Sequence, residues 1–131
     1  MGKKLLIVDD DPIVRLIIQK MVLKSDSSVI CYQCDNGQIG LEVLEKLRTE
    51  TGAIVVLLDI NMPVLNGWQF LDGLQKINLN SISQFHLYMI TSSTDQSDKL
   101  KAQSYPVIKM LYHKPLSKQD IEMILGSSEI N

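Results

Sequence analysis

The stretch Val55-Val56-Leu57-Leu58-Asp59-Ile60-Asn61-Met62-Pro63 decides how the chain is read. Four aliphatic residues run directly into an acid, and a proline follows. A short unbroken apolar run fits a strand covered on both faces, the kind found in parallel sheets. Asp59 then stands at the carboxyl end of that strand, where open α/β sheets gather their ligands. Other runs repeat the form. Leu5-Leu6-Ile7-Val8 enters Asp9-Asp10-Asp11-Pro12, Leu87-Tyr88-Met89-Ile90 enters Thr91-Ser92-Ser93, and the run from Val107 to His113 enters Lys114-Pro115. Several apolar strands thus deliver polar groups at one end, and those ends are expected to form one site around Asp59.

The 131 residues suit one domain with a real core. Hydrophobic residues make up 45% and charged residues 21%, which excludes a disordered chain. Thirteen basic against 15 acidic residues give a net charge of −2, and nothing in that balance points to nucleic acid. No apolar run approaches the ~20 residues of a membrane span. The run after Lys3-Lys4 stops at Asp9, too early for a signal peptide. Leu6 stands where a myristoylation motif wants Ser or Thr. The expected location is cytoplasmic. Cys31 and Cys34 form a C-x-x-C, but on a stretch that reads as a strand, where positions i and i+3 face opposite ways. Two reduced structural cysteines are expected.

Five strands are predicted, at Lys4 to Val8, Val29 to Cys34, Ile54 to Leu58, Phe85 to Ile90 and from Pro106 onward. Helix one starts at Pro12 behind Asp10 or Asp11 as cap and carries Ile13, Leu16, Ile17, Lys20 and Met21 at helical spacing. Helix two follows the turn Asp35-Asn36-Gly37 with Leu41, Leu44 and Leu47 on one stripe, and Gly40 reads as a close approach to the sheet. Helix three begins near Gly67, places Trp68, Leu71 and Leu74 on one face, and is broken at Asn78 to Ser81. Thr94-Asp95 caps a fourth helix to about Ser104, and Ser117 caps a fifth that Gly126 ends. His86 reads as a surface or sheet-edge residue. The domain is expected over 1–126, with a frayed tail at 127–131. Alternating strands and helices imply a doubly wound α/β fold with a parallel sheet and helices on both faces. Of the two common strand orders, 2-1-3-4-5 makes strands one and three neighbours, which brings Asp9, Asp10 and Asp59 together.

Clustered carboxylates repel unless a cation joins them. Asp9, Asp10, Asp59 and Lys114 sum to −2, and Mg²⁺, a hard ion suited to carboxylate and phosphate oxygens, returns that sum to zero. An aspartate is ionised at neutral pH and needs no base to act as a nucleophile. Phosphoryl transfer asks for positioning and charge compensation, which a metal, the Thr91 hydroxyl and the Lys114 ammonium would supply. Any one of these residues alone reads as a cap, a turn or a surface group. Their appearance in order, each after an apolar run, favours a site.

Leu6-Ile7-Val8-Asp9-Asp10-Asp11-Pro12, Leu58-Asp59-Ile60-Asn61-Met62-Pro63-Val64-Leu65-Asn66-Gly67, Ile90-Thr91-Ser92-Ser93 and Lys114-Pro115-Leu116 together resemble the receiver domain of bacterial two-component response regulators. The resemblance spans essentially the whole chain. It implies a flavodoxin-like (βα)5 fold and a phosphoacceptor at Asp59, served by a sensor histidine kinase or phosphotransfer protein. It implies Mg²⁺ held by Asp9, Asp10, Asp59 and the backbone carbonyl of Asn61. Thr91 would be the switch hydroxyl, Lys114 its ion-pair partner for the phosphoryl group, and the Lys114–Pro115 peptide cis. It also implies a signalling module rather than an enzyme, a monomer or weak dimer, with an output partner that the sequence does not name; the chain reads as a stand-alone receiver or as one excised from something longer. The family usually carries an aromatic residue three before the lysine, where this chain has Leu111 with Tyr112 beside it, and often alanine where Gly40 stands. Signalling is therefore expected to use the Thr91 loop and the helix four surface around Leu100 and Lys101, without an aromatic switch. The competing readings are an aspartate-nucleophile phosphohydrolase, which Asp9-Asp10-Asp11-Pro12-Ile13 imitates only loosely, and an interaction module that is never phosphorylated.

Overall fold

The computed structural model describes residues 3–50, 52–77, 85–92 and 96–129, with side chains up to 126. Strands and helices alternate: β1 (Lys4–Val8), α1 (Pro12–Ser25), β2 (Ile30–Cys34), α2 (Gly37–Leu47), β3 (Ile54–Asp59), α3 (Gly67–Leu74), β4 (Phe85–Thr91), α4 (Gln96–Ala102), β5 (Ile108–His113) and α5 (Lys118–Glu129). The sheet is parallel, in the order β2-β1-β3-β4-β5. This is the flavodoxin-like strand order, with β1 and β3 paired so that Val8 lies opposite Leu58.

The sheet divides the core. Leu6, Val8, Val56, Leu58, Leu87 and Met89 face α2 and α3, where Leu44, Phe70 and Leu71 meet them. Leu5, Ile7, Val55, Leu57 and Ile90 face α1 and α5, where Ile18, Val22, Ile121 and Ile124 meet them. β1 and β3 are buried throughout, as a central parallel strand requires. Caps set the helix starts. Asp11, rather than Asp10, accepts from the Ile13 and Val14 amides, and Asn66 with Gln69 forms a reciprocal capping box on α3. Ser117 and Asp120 make the same exchange at α5. A Cβ on Gly40 would lie 3.0 Å from Phe70 and 3.1 Å from Val8, so the helix is pressed against the sheet there.

Four sequence readings need correction or placement. On α1 the buried residues are Ile18 and Val22, while Ile13, Leu16 and Ile17 are exposed. The helix is apolar on nearly every side, so periodicity could not choose its inner face. His86 is buried, not superficial, because β4 lies inside the sheet; Lys109 Nζ stands 2.6 Å from its Nδ1. The fifth helix continues through Gly126 to Glu129, since that glycine keeps a right-handed backbone and makes no left-handed stop. The break at Asn78 to Ser81 and the Thr94–Asp95 cap lie outside the described residues. Cys31 and Cys34 are free thiols on opposite faces of β2. Burial pushes Cys34 up to about 11 and raises Cys31 as well, which leaves both unreactive at neutral pH. Among the described residues, no helix is long and apolar enough to cross a membrane.

Candidate phosphoacceptor and metal site

The site grows from where the strands stop. Val8 and Leu58 are paired in neighbouring strands, so the residues after them, Asp9 and Asp59, emerge side by side. Both are buried, at 2% and 4% exposure, while Asp10 is exposed at the rim. One oxygen of each of Asp9, Asp10 and Asp59 lies within 4.8 Å of the others. Lys114 enters from the turn after β5, where its amide donates to the Thr91 carbonyl at 2.8 Å. Its ammonium reaches Asp9 Oδ2 at 2.8 Å and Asp59 Oδ2 at 3.3 Å. The Lys114–Pro115 peptide bond is cis. Thr91, the last residue of β4, is fully buried beside them.

Backbone groups fix the carboxylates. The Asp11 amide donates to Asp9 Oδ1 at 2.9 Å, and the Asn61 amide to Asp59 Oδ1 at 3.3 Å. Arg15 Nη1 donates to the Asp9 carbonyl at 2.7 Å, tying α1 to the end of β1. Gly67 lies against the far side of Asp59. A Cβ there would sit 2.8 Å from the Asp59 carbonyl oxygen and 2.9 Å from Ile60 Cα. Sequence reading passed over Arg15, although a lone cation in the first turns of an apolar helix was a visible signal, and it placed Gly67 only as a helix start. Between them the loop is strained. The Leu65 amide donates to the Pro63 carbonyl at 2.7 Å across Val64, whose φ is 69°. That is a γ-turn of the rarer hand, with a β-branched residue at its centre.

The charges do not balance. One ammonium serves both buried acids, at 2.8 Å from Asp9 Oδ2 and 3.3 Å from Asp59 Oδ2. Burial first, and then the Asp9 charge, push the Asp59 carboxyl up to about 6 against the pull of Lys114. Burial alone would lower the Lys114 ammonium; Asp9 and Asp59 more than reverse that, and its pKa is raised. A pocket of hard oxygens, short of positive charge and spanning little more than the ~4 Å between oxygens around one Mg²⁺, fits that ion. A surface groove between α2 and α3 lies elsewhere and contains none of these groups. A small apolar notch does border the site, between Ile17 and Met21 of α1 and the Lys114-Pro115-Leu116 turn. His113 is exposed, in a groove with Lys99 of α4. Leu111 is half-buried on the α2–α3 side, and Tyr112, on the other side, packs 5.9 Å from the Tyr88 ring.

Residues 5–125 match the family model of the response regulator receiver domain. The nitrate/nitrite response regulator protein NarL of Escherichia coli (strain K12) is 30% identical over 76 residues, 58% of this chain and 33% of NarL. The match thus spans about a third of that relative's length. A response regulator receiver protein from Dyadobacter fermentans superimposes with a TM-score of 0.83 at 26% identity, covering 99% of this chain and 100% of that one. A two-component response regulator from Cytophaga hutchinsonii gives a TM-score of 0.86 at 21% identity, covering 99% and 98%, a likeness of fold.

Proposed function

The chain belongs to the response regulator receiver domain family, and on that premise we propose that Asp59 accepts a phosphoryl group from the phosphohistidine of a sensor histidine kinase or phosphotransfer protein. The family signals through phosphorylation and binds Mg²⁺ in its acidic pocket. The observation that carries the proposal is the setting of Asp59. It is a buried strand-end carboxylate with an ammonium 3.3 Å from its Oδ2 and two more carboxylates at hand.

Asp9, Asp10, Asp59 and the Asn61 carbonyl would hold the ion, which supplies positive charge to the transferring phosphoryl oxygens. An Asp59 oxygen attacks phosphorus as the bond to the donor nitrogen breaks, and the imidazole leaves with its electron pair and takes a proton from solvent. Lys114 stays beside the new acyl phosphate as counter-charge, and Thr91 donates its hydroxyl to a phosphoryl oxygen. Ile17 lines the notch beside the pocket, and with Ile13 and Leu16, exposed on the same helix, it offers an apolar surface for the phosphodonor protein. The chain acts as a cytoplasmic signalling module, and its own active groups serve only its phosphorylation and dephosphorylation. Intact-mass measurement with a small phosphodonor and Mg²⁺ tests this reading. The expected result is a gain of one phosphoryl group that is lost in chelator and in Asp59→Asn. A phosphoryl group that persists in Asp59→Asn, or turnover of a phosphate ester that ignores Asp59, overturns it.

A further inference from the structure

Two helices leave the site: α3 follows the strand that ends in Asp59, and α4 follows the strand that ends in Thr91. They are held very differently. α3 buries Gly67, Phe70, Leu71 and Leu74. α4 is seven residues long and buries none of them. A helix that short has little stability of its own, so outside contacts decide where it rests.

α4 rests along β5, and its described side-chain contacts to α3 converge on Trp68. Lys101 Nζ of α4 stands 4.8 Å from the centre of the Trp68 ring. Tyr105, just past α4, packs its ring 5.5 Å from Trp68 at an interplanar angle of 30°. Its hydroxyl donates to Asp72 Oδ1, one turn further along α3, at 3.3 Å. Trp68 itself directly follows Gly67, which rests on the Asp59 carbonyl and donates its amide to Ile60 at 2.9 Å. Trp68 is thus anchored to the phosphoacceptor end of β3 and grips the helix that hangs from Thr91.

We propose that Trp68, Lys101 and Tyr105 form a latch that holds α4 against α3 while Asp59 is unmodified, and that activation opens it. The latch deepens the phosphoacceptor reading and rests on it. Leu111 supplies no ring to swing between two positions, so α4 itself is the element able to take two positions. A ligand shifts such an equilibrium only through contacts that differ between its states. Here the differing contact is the cation over the indole. Breaking it uses part of the free energy of phosphorylation, so a weaker latch makes the active form easier to reach.

Lys101→Met tests the latch because it keeps the apolar stem and removes the charge. Beryllofluoride with Mg²⁺ serves as the phosphoryl mimic, and its affinity is measured by titration with Trp68 emission as a second readout. The expected result is binding about two- to five-fold tighter than wild type, the equivalent of an exposed cation–π contact. Lys101→Arg, which keeps a cation over the ring, should return the affinity to the wild-type value. Trp68→Leu should tighten binding too, with urea unfolding used to check that the fold persists. Equal or weaker affinity in Lys101→Met, or failure of the arginine to restore it, overturns the latch. Failure of wild type to bind the mimic at all counts against the phosphoacceptor reading instead.

Discussion

Removing the Asp59 charge should make the protein more stable, although it destroys the function. In the folded chain the Asp59 carboxyl is held up to about 6, against an ordinary 3.8, by burial and by Asp9, with Lys114 only partly offsetting them. Ionising it in the folded state therefore costs about 3 kcal/mol more than in the unfolded chain, at about 1.36 kcal/mol per pH unit. The folded protein binds the proton more tightly than the unfolded chain does. Its advantage is thus complete below about pH 3.8 and disappears as pH rises through about 6. Asn has the shape of the protonated acid and carries no charge at any pH. In urea unfolding with chelator present, Asp59→Asn should exceed wild type by about 2–3 kcal/mol at pH 8. That margin should shrink by about 1.4 kcal/mol per pH unit below pH 6 and vanish near pH 4. Saturating Mg²⁺ should narrow it at pH 8, because the ion compensates the wild-type charge. A margin that is flat with pH, or an Asn variant less stable than wild type at pH 8, refutes the electrostatic account.

Lys114→Ala should leave Mg²⁺ binding in place yet remove about 1–3 kcal/mol of the stabilisation that phosphorylation brings, read by unfolding with and without the phosphoryl mimic. Gly67→Ala should cost about 1–3 kcal/mol and slow Asp59 phosphorylation, because the new methyl meets the backbone of Asp59 and Ile60. Gly126→Ala is its control: nothing lies within 4 Å of the added Cβ, and thermal unfolding should show a gain of up to about 1 kcal/mol. Val64→Gly should stabilise by about 0.5–1 kcal/mol in urea, since relief of the positive φ outweighs the added freedom of the unfolded chain.

The strands β1, β3 and β4 were readable from apolar runs that end in polar residues, and the strand order and the meeting of Asp9 and Asp59 from the choice between two common orders. That signal is strong because a doubly covered strand tolerates no interruption, so its end is sharply marked. The orientation of α1 was not readable. Val14, Ile18 and Val22 on one side compete with Ile13, Leu16 and Ile17 on the other, and only the packed sheet chooses between them. His86 misled for a related reason, since polarity suggested exposure while β4 is an inner strand that carries it inward. The grip of Trp68 on α4 joins residues 68, 101 and 105, and no local pattern encodes a contact across that separation.

The two-sided core has a consequence for how this protein can change over time. The sheet works as a bulkhead. The inner face of α1, the helix that carries the exposed Ile13, Leu16 and Ile17, packs in the compartment shared with α5, and Trp68, Tyr105 and Leu111 belong to the one shared with α2 and α3. Substitutions that have no common neighbours across such a partition combine additively, to within about 0.5 kcal/mol. The surface that would meet a phosphodonor can therefore drift toward a new partner while the α4 side keeps its output. The reverse holds as well, so either specificity can be rewired without passing through an intermediate that has lost both.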